Sequence, residues 1–170
     1  MGEAEGRRAV VTGAASGIGS AVVRRLLNEG ASVLAVEIKD YGMAPLAQEG
    51  AVTMVACVSD EADRYRIGED SGEIDYLVNS AGVLFVNSIW DLTLDEWRNR
   101  YADNVEGTFF VTQRLGRQMR SGGAIVNLSS SSAKLASTVE VAPYSSSKAT
   151  ILGITRSFAY VLAGDGIRVN

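Results

Sequence analysis

The amino-acid sequence predicts an α/β fold: one domain on a doubly wound parallel sheet, with helices on both faces. Three observations carry this expectation. Short apolar runs alternate with segments of helical spacing from end to end, without a linker or an internal repeat. A glycine-rich turn joins the first apolar run to the first helix. The polar and glycine signals follow the carboxyl ends of successive strands, where open parallel sheets bind ligands.

The elements follow in order. The first strand is 9–12, entered from Arg8 and apolar enough to be buried on both faces. Ile18, Val22 and Leu26, with Ala21 beside them, then recur at helical spacing until the stop signal Asn28-Glu29-Gly30. Strands are expected at 32–37, 52–57, 76–79 and 124–128, and a sixth begins at 167–170. The segment 61–73 is short for a full helix and contains Gly68 and Gly72, which predicts a stunted one. The last helix, 144–162, carries Ile151, Leu152, Ile154, Phe158, Val161 and Leu162. These cover more of its circumference than one core-facing stripe, which predicts burial on two sides. Crossovers are expected to be right-handed.

Composition narrows the function. The chain has 170 residues, 46% hydrophobic and 21% charged, as in one globular domain. A net charge of −4 disfavours nucleic acid and anionic membrane surfaces. No apolar run reaches spanning length, and the first six residues lack the apolar core of a secretory signal. The single cysteine, Cys57, excludes an internal disulfide and suits a reducing cytoplasm. The absence of histidine excludes Ser-His-Asp and Cys-His catalysis and any histidine-bound zinc, and no metal-binding cluster is expected.

Two signals carry chemistry. Thr12-Gly13-Ala14-Ala15-Ser16-Gly17-Ile18-Gly19 leaves the first strand and opens a helix. Such a turn lets a phosphate approach the backbone, and the helix points N–H groups and its positive end at it. Tyr144 and Lys148 stand one helical turn apart, putting a phenol beside an ammonium. In isolation that pair also suits a solvated helix face. Ser129-Ser130-Ser131-Ser132 follows the fifth strand, and a hydroxyl there could hydrogen-bond the same substrate oxygen.

Taken in order, Gly13 to Gly19, Asn79-Ser80-Ala81-Gly82, Asn104-Val105-Glu106-Gly107, the serines after Val126-Asn127-Leu128, and Tyr144-Ser145-Ser146-Ser147-Lys148 span nearly the whole chain. In this the chain resembles the short-chain dehydrogenase/reductase family. The resemblance implies a Rossmann-like NAD(P)-binding domain over 1–170 and hydride transfer between a secondary alcohol and a ketone. It implies Tyr144 as general acid/base, with Lys148 supplying charge and reaching the nicotinamide ribose. Ser130 would steady the substrate oxygen, and Asn104 would hold a proton-relaying water. Family spacing counted back from Tyr144 selects Ser131 instead of Ser130. The implied cofactor contacts are Gly13, Ser16, Gly17, Ile18, Gly19, Glu37, Val58, Asn79, Ala81, Gly82, Tyr144 and Lys148. Glu37 can accept bonds from both adenosine ribose hydroxyls and repels a 2′-phosphate, so NAD is expected over NADP.

The chain also departs from the family. Ser80 replaces a second asparagine, and Cys57 stands where an acid usually meets the adenine. Family members continue past a position equivalent to Asn170, so truncation in the sixth strand is expected, with the substrate lid absent. Without that lid, the 170 residues alone are expected to be incompetent in turnover. Packing of the last helix and the Asn104 helix against symmetry mates would make a homodimer or homotetramer. Val83-Leu84-Phe85-Val86 and Trp90 could line an apolar substrate pocket. The alternative reading is a nucleotide-binding scaffold or regulator without turnover.

Overall fold

The structure, a computed structural model, describes residues 2–84, 86, 88–135 and 142–170. Six strands form one sheet: β1 (Arg8–Thr12), β2 (Ser32–Glu37), β3 (Val52–Val55), β4 (Ile74–Asn79), β5 (Met119–Asn127) and β6 (Arg168–Val169). Their order is β3-β2-β1-β4-β5-β6, and every pair is parallel. From β1 the chain builds outward to β3, then returns to β1's other side for β4. This reversal leaves a crevice beyond the ends of β1 and β4.

Alternation along the strands feeds a core on each face. Ala9, Val11, Val33 and Ala35 pack with Val23 of α1 (Gly17–Asn28) and with Met43 and Leu46 of α2 (Met43–Gln48). On the other face, Val10, Leu34, Leu77 and Ile125 pack with three helices. These are α3 (Glu61–Ser71), α5 (Gly107–Gly116) and α6 (Ala142–Leu162), which contribute Ile67, Leu115 and Leu162. Each fully buried side chain of this kind stabilises the fold by about 1.5–3 kcal/mol.

The helix α4 (Leu94–Tyr101) opens with a capping box, Thr93 with Glu96, and runs through a π-helical turn, Ala102–Glu106, into α5. Three strand boundaries differ from the sequence reading by two residues or more. β3 stops at Val55, two residues early. β4 starts at Ile74, two early. β5 starts at Met119, because 120–123 bulge out between the pairs Ile74–Met119 and Tyr76–Ala124, with Gly122 at φ 82°.

The expected stunted helix is a full three-turn one. Asp60 caps it by accepting the Asp63 amide at 2.9 Å, and Gly72, at φ 58°, ends it. Gly68 stays inside because a Cβ there would collide with the Arg114 side chain. On α6, Ile151 and Ile154 are buried, but Val161 is 68% exposed and Leu152 only half-buried. The chain itself covers one side of that helix, not two. No helix among the described residues is long and apolar enough to cross a membrane.

Candidate active site

A cleft of about 420 Å³ opens beyond the carboxyl ends of the central strands. Ten of the twelve expected cofactor contacts line it: Gly13, Ser16, Gly17, Ile18, Glu37, Val58, Ala81, Gly82, Tyr144 and Lys148. Gly19 and Asn79 stand behind the wall. Gly19 is buried where a Cβ would strike the Gly13 carbonyl. Asn79 donates to Thr112 Oγ1 (2.9 Å) and Asn127 Oδ1 (2.8 Å), and Asn127 donates on to Thr155. These buried amides tie the ends of β4 and β5 to α5 and α6.

The glycine turn forms because no side chain would fit at Gly13 or Gly19. At Gly13, with φ 65°, a Cβ would lie 2.6 Å from the Ala81 amide, so the β1 and β4 turns touch backbone to backbone. Gly17, at φ 52°, has open space instead. A phosphate can therefore come up to the main chain there. Ser16 caps α1 without a side-chain bond, and the first turn of the helix holds no acid of its own, so its positive end faces the cleft.

Glu37 ends β2 at the cleft wall. Its Oε2 accepts from the Ala15 amide at 3.1 Å and its Oε1 from the Ile38 amide at 2.8 Å. These bonds fix the carboxylate while leaving lone pairs on both oxygens.

On the opposite wall, Lys148 is only 6% exposed. Its Nζ donates to the Leu128 carbonyl at 2.9 Å and lies 5.8 Å from the Tyr144 ring centroid. Burial pushes its pKa below that of an ordinary lysine. A Cβ on Gly82 would stand 3.2 Å from that Nζ and 3.0 Å from Asn104 Oδ1, so bare backbone is what admits both side chains.

Asn104 lies in the π-helical turn, a distortion common at functional sites. It is fully buried. Its Oδ1 accepts from the Val83 amide (2.8 Å), and its Nδ2 donates to the Val83 carbonyl (3.1 Å) and to Ser147 Oγ (3.0 Å). The side chain thus clamps the loop after β4 to α6, while the Asn104 carbonyl accepts from Thr108 Oγ1 at 3.0 Å.

Among the serines, Ser129 lines the cleft and donates to the Lys148 carbonyl at 2.8 Å. Ser130, next to it and half-buried, accepts from the Ser132 amide and starts a 3₁₀ turn, Ser131–Ala133. Ser131 is exposed. Val83 and Leu84 line the cleft, Val86 and Trp90 are exposed, and Phe85 lies outside the described residues.

Sequence reasoning placed Cys57 near the site but missed Ser59 and Asp103, to which it is linked. Cys57 Sγ lies 3.0 Å from Ser59 Oγ, which donates to Asp103 Oδ1 at 2.9 Å, and both Cys57 and Asp103 line the cleft. Asp103 directly precedes Asn104, and its place beside a site residue was the available signal.

Comparison with known proteins supplies the family and the fold. The family model described as short chain dehydrogenase matches residues 7–170. D-threitol dehydrogenase of Mycolicibacterium smegmatis is 38% identical, over 98% of this chain and 68% of that protein. Galactitol 2-dehydrogenase (L-tagatose-forming) of Cereibacter sphaeroides is 34% identical, over 98% and 69%. A double mutant of a Serratia marcescens short-chain dehydrogenase/reductase superposes with a TM-score of 0.94 at 31% identity, over 98% of this chain and 73% of that one. A blue fluorescent protein from a metagenomic library, in complex with NADPH, superposes at 0.90 with 31% identity, over 98% and 72%.

Proposed function

The chain belongs to the short-chain dehydrogenase family, and on that premise we propose an NAD-dependent oxidoreductase that interconverts a secondary alcohol and its ketone. One observation carries the reading: Tyr144 and Lys148 share a cleft with the glycine turn and Glu37. Proton chemistry and nucleotide recognition therefore meet in one place.

The residues fit a dinucleotide. The N-terminal end of α1 and the open backbone at Gly17 suit a pyrophosphate. The fixed Glu37 carboxylate suits two ribose hydroxyls and opposes a 2′-phosphate, which favours NAD. The NADPH-bound neighbour makes NADP the competing cofactor to measure. When bound, the nicotinamide accepts or gives the hydride. Tyr144 takes the proton from the alcohol or returns it to the ketone oxygen. Lys148 stands beside it, with Nζ 5.8 Å from the Tyr144 ring centroid. Ser130 hydrogen-bonds the substrate oxygen, and Asn104 holds Val83 and Ser147 in place around Lys148.

Val83 and Leu84 offer apolar surface to the carbon skeleton of the alcohol. The relatives named for D-threitol and galactitol make small polyols the first substrates to assay. We also propose a cytoplasmic homo-oligomer, from the lone cysteine and the uncovered side of α6.

The test pairs binding with turnover. Fluorescence titration should give tighter binding of NAD than of NADP, and Glu37→Arg should narrow or reverse the difference. Tyr144→Phe should lower kcat by ~10²–10⁴-fold with cofactor affinity nearly unchanged. Retention of more than about a tenth of the rate would place the general acid/base elsewhere.

A further inference from the structure

A second groove, of about 320 Å³, lies between α3 and α5 and shares no lining residue with the active-site cleft. Glu61, Arg64 and Tyr65 of α3 line it on one side. Phe110 and Arg114 of α5, with the C-cap residue Arg117, line it on the other. Three guanidiniums therefore meet one carboxylate, in a chain whose net charge is −4. None of the three is in an ion pair among the described residues. The helix dipole explains Arg114 and Arg117, which stand at the C-terminal end of α5, where cations are favoured. It does not explain Arg64, which stands near the N-terminus of α3, where they are not. We propose that this groove binds the phosphate group of a small phosphorylated metabolite.

The cations are held in advance. Arg64 donates from Nη1 to the Val58 carbonyl at 3.0 Å, and its guanidinium lies 5.0 Å from the Phe110 ring centroid. The Arg114 guanidinium lies 4.9 Å from the Tyr65 ring centroid, and its Nε is enclosed beside Gly68 without an acceptor. Side chains fixed before binding lose less freedom when the ligand arrives. Their remaining N–H groups are the forks that match phosphate oxygens two at a time. A phosphate monoester concentrates about two negative charges in one group, which suits a cluster of cations better than a single carboxylate does. Tyr65 and Phe110, 53% and 38% exposed, leave ring surface for the body of the molecule. Glu61, on the α3 wall, opposes a second anionic group and so favours one phosphate over a longer polyanion.

The test is calorimetric titration with phenyl phosphate and with benzoate, with NAD in excess to occupy the glycine turn. Phenyl phosphate should bind at least about ten-fold tighter than benzoate, which carries the same ring and a single charge. Arg114→Gln and Arg117→Gln should each weaken phenyl phosphate by about ten-fold, the low end for a hydrogen bond to a charged group. Arg117 is exposed, so its removal spares the fold. Arg168→Gln, on β6 and outside the groove, should change nothing. Arg114→Lys keeps the charge without the fork and should still lose several-fold. Equal affinity for the two ligands would show that the rings alone bind, and would overturn the proposal. So would equal weakening by all three glutamine variants, the mark of diffuse attraction. Binding of phenyl phosphate only when NAD is omitted would return the anion to the glycine turn and overturn it as well. Failure to bind phenyl phosphate at all would overturn it while leaving the dinucleotide reading intact, since NAD is titrated separately.

Discussion

Lys148 is where function and stability pull apart. Its ammonium is nearly enclosed, and burial lowers its pKa. The unfolded chain therefore binds more protons than the folded one between the lowered value and the ordinary lysine value of about 10.4. In that window stability rises with pH. Below it, the folded protein carries the full penalty of a buried charge. Lys148→Met keeps the bulk and removes the charge. It should abolish turnover and raise the thermal midpoint at pH 7 by a few degrees, and that gain should shrink as pH approaches about 10. Thermal melts of both proteins from pH 6 to 10 check this. A gain that grows with pH would contradict it. Lys148 and Tyr144 were legible in the sequence because their relation is local, one turn of helix. Asp103 was not, because its meaning depends on Ser59, which only the fold brings to it.

Elements show the same division. The buried runs of β1 and β2 could be read directly, since strands covered on both faces are apolar throughout. Strand ends could not, because pairing and bulges set them, as at 120–123. Counting glycines misjudged α3, because Gly68 makes room for a crossing arginine and Gly72 is a terminator. Asp75 on β4 was equally hidden. It is fully buried, and its oxygens accept from the Arg8 amide at 2.9 Å and Arg7 at 2.7 Å, with Arg120 at 3.4 Å. Burial opposes its ionisation, yet the Arg8 amide and the two guanidiniums outweigh it and hold its pKa below the usual carboxylate range. It fastens the start of β1 to β4. Asp75→Ala should cost about 1–3 kcal/mol, mainly from the part-buried Arg8 amide left without its acceptor. The half-exposed Arg7 adds little. Because the folded pKa is depressed, this contribution is complete above about pH 4 and is lost as pH falls through the lower folded value. Denaturant titrations from pH 7 to 3 should show the two proteins converging at the acid end; a constant gap would refute the assignment.

At the scale of the whole molecule, apolar surface is left uncovered. Tyr160 is 87% exposed and Val161 68%, both at the end of α6, and Leu94 of α4 is exposed as well. A second copy of the chain is expected to cover them. Light scattering at micromolar concentration should give a dimer or tetramer, and Val161→Glu should shift it toward monomer; a monomeric unmutated protein would contradict this. The strand order has one more consequence. The segments 8–55 and 74–169 each assemble by pairing neighbours in sequence, whereas the β1–β4 seam joins strands separated by two whole βα units. That seam closes against the largest loop entropy and is the natural line along which the domain comes apart. The cleft lies across its end, so an occupant gripping Gly17 and Glu37 on one half and Gly82 and Lys148 on the other stitches the halves together. At about a hundred times its Kd, such a ligand adds ~2.7 kcal/mol to the folded state. Nucleotide supply would then govern how long the protein survives a protease, quite apart from how fast it works.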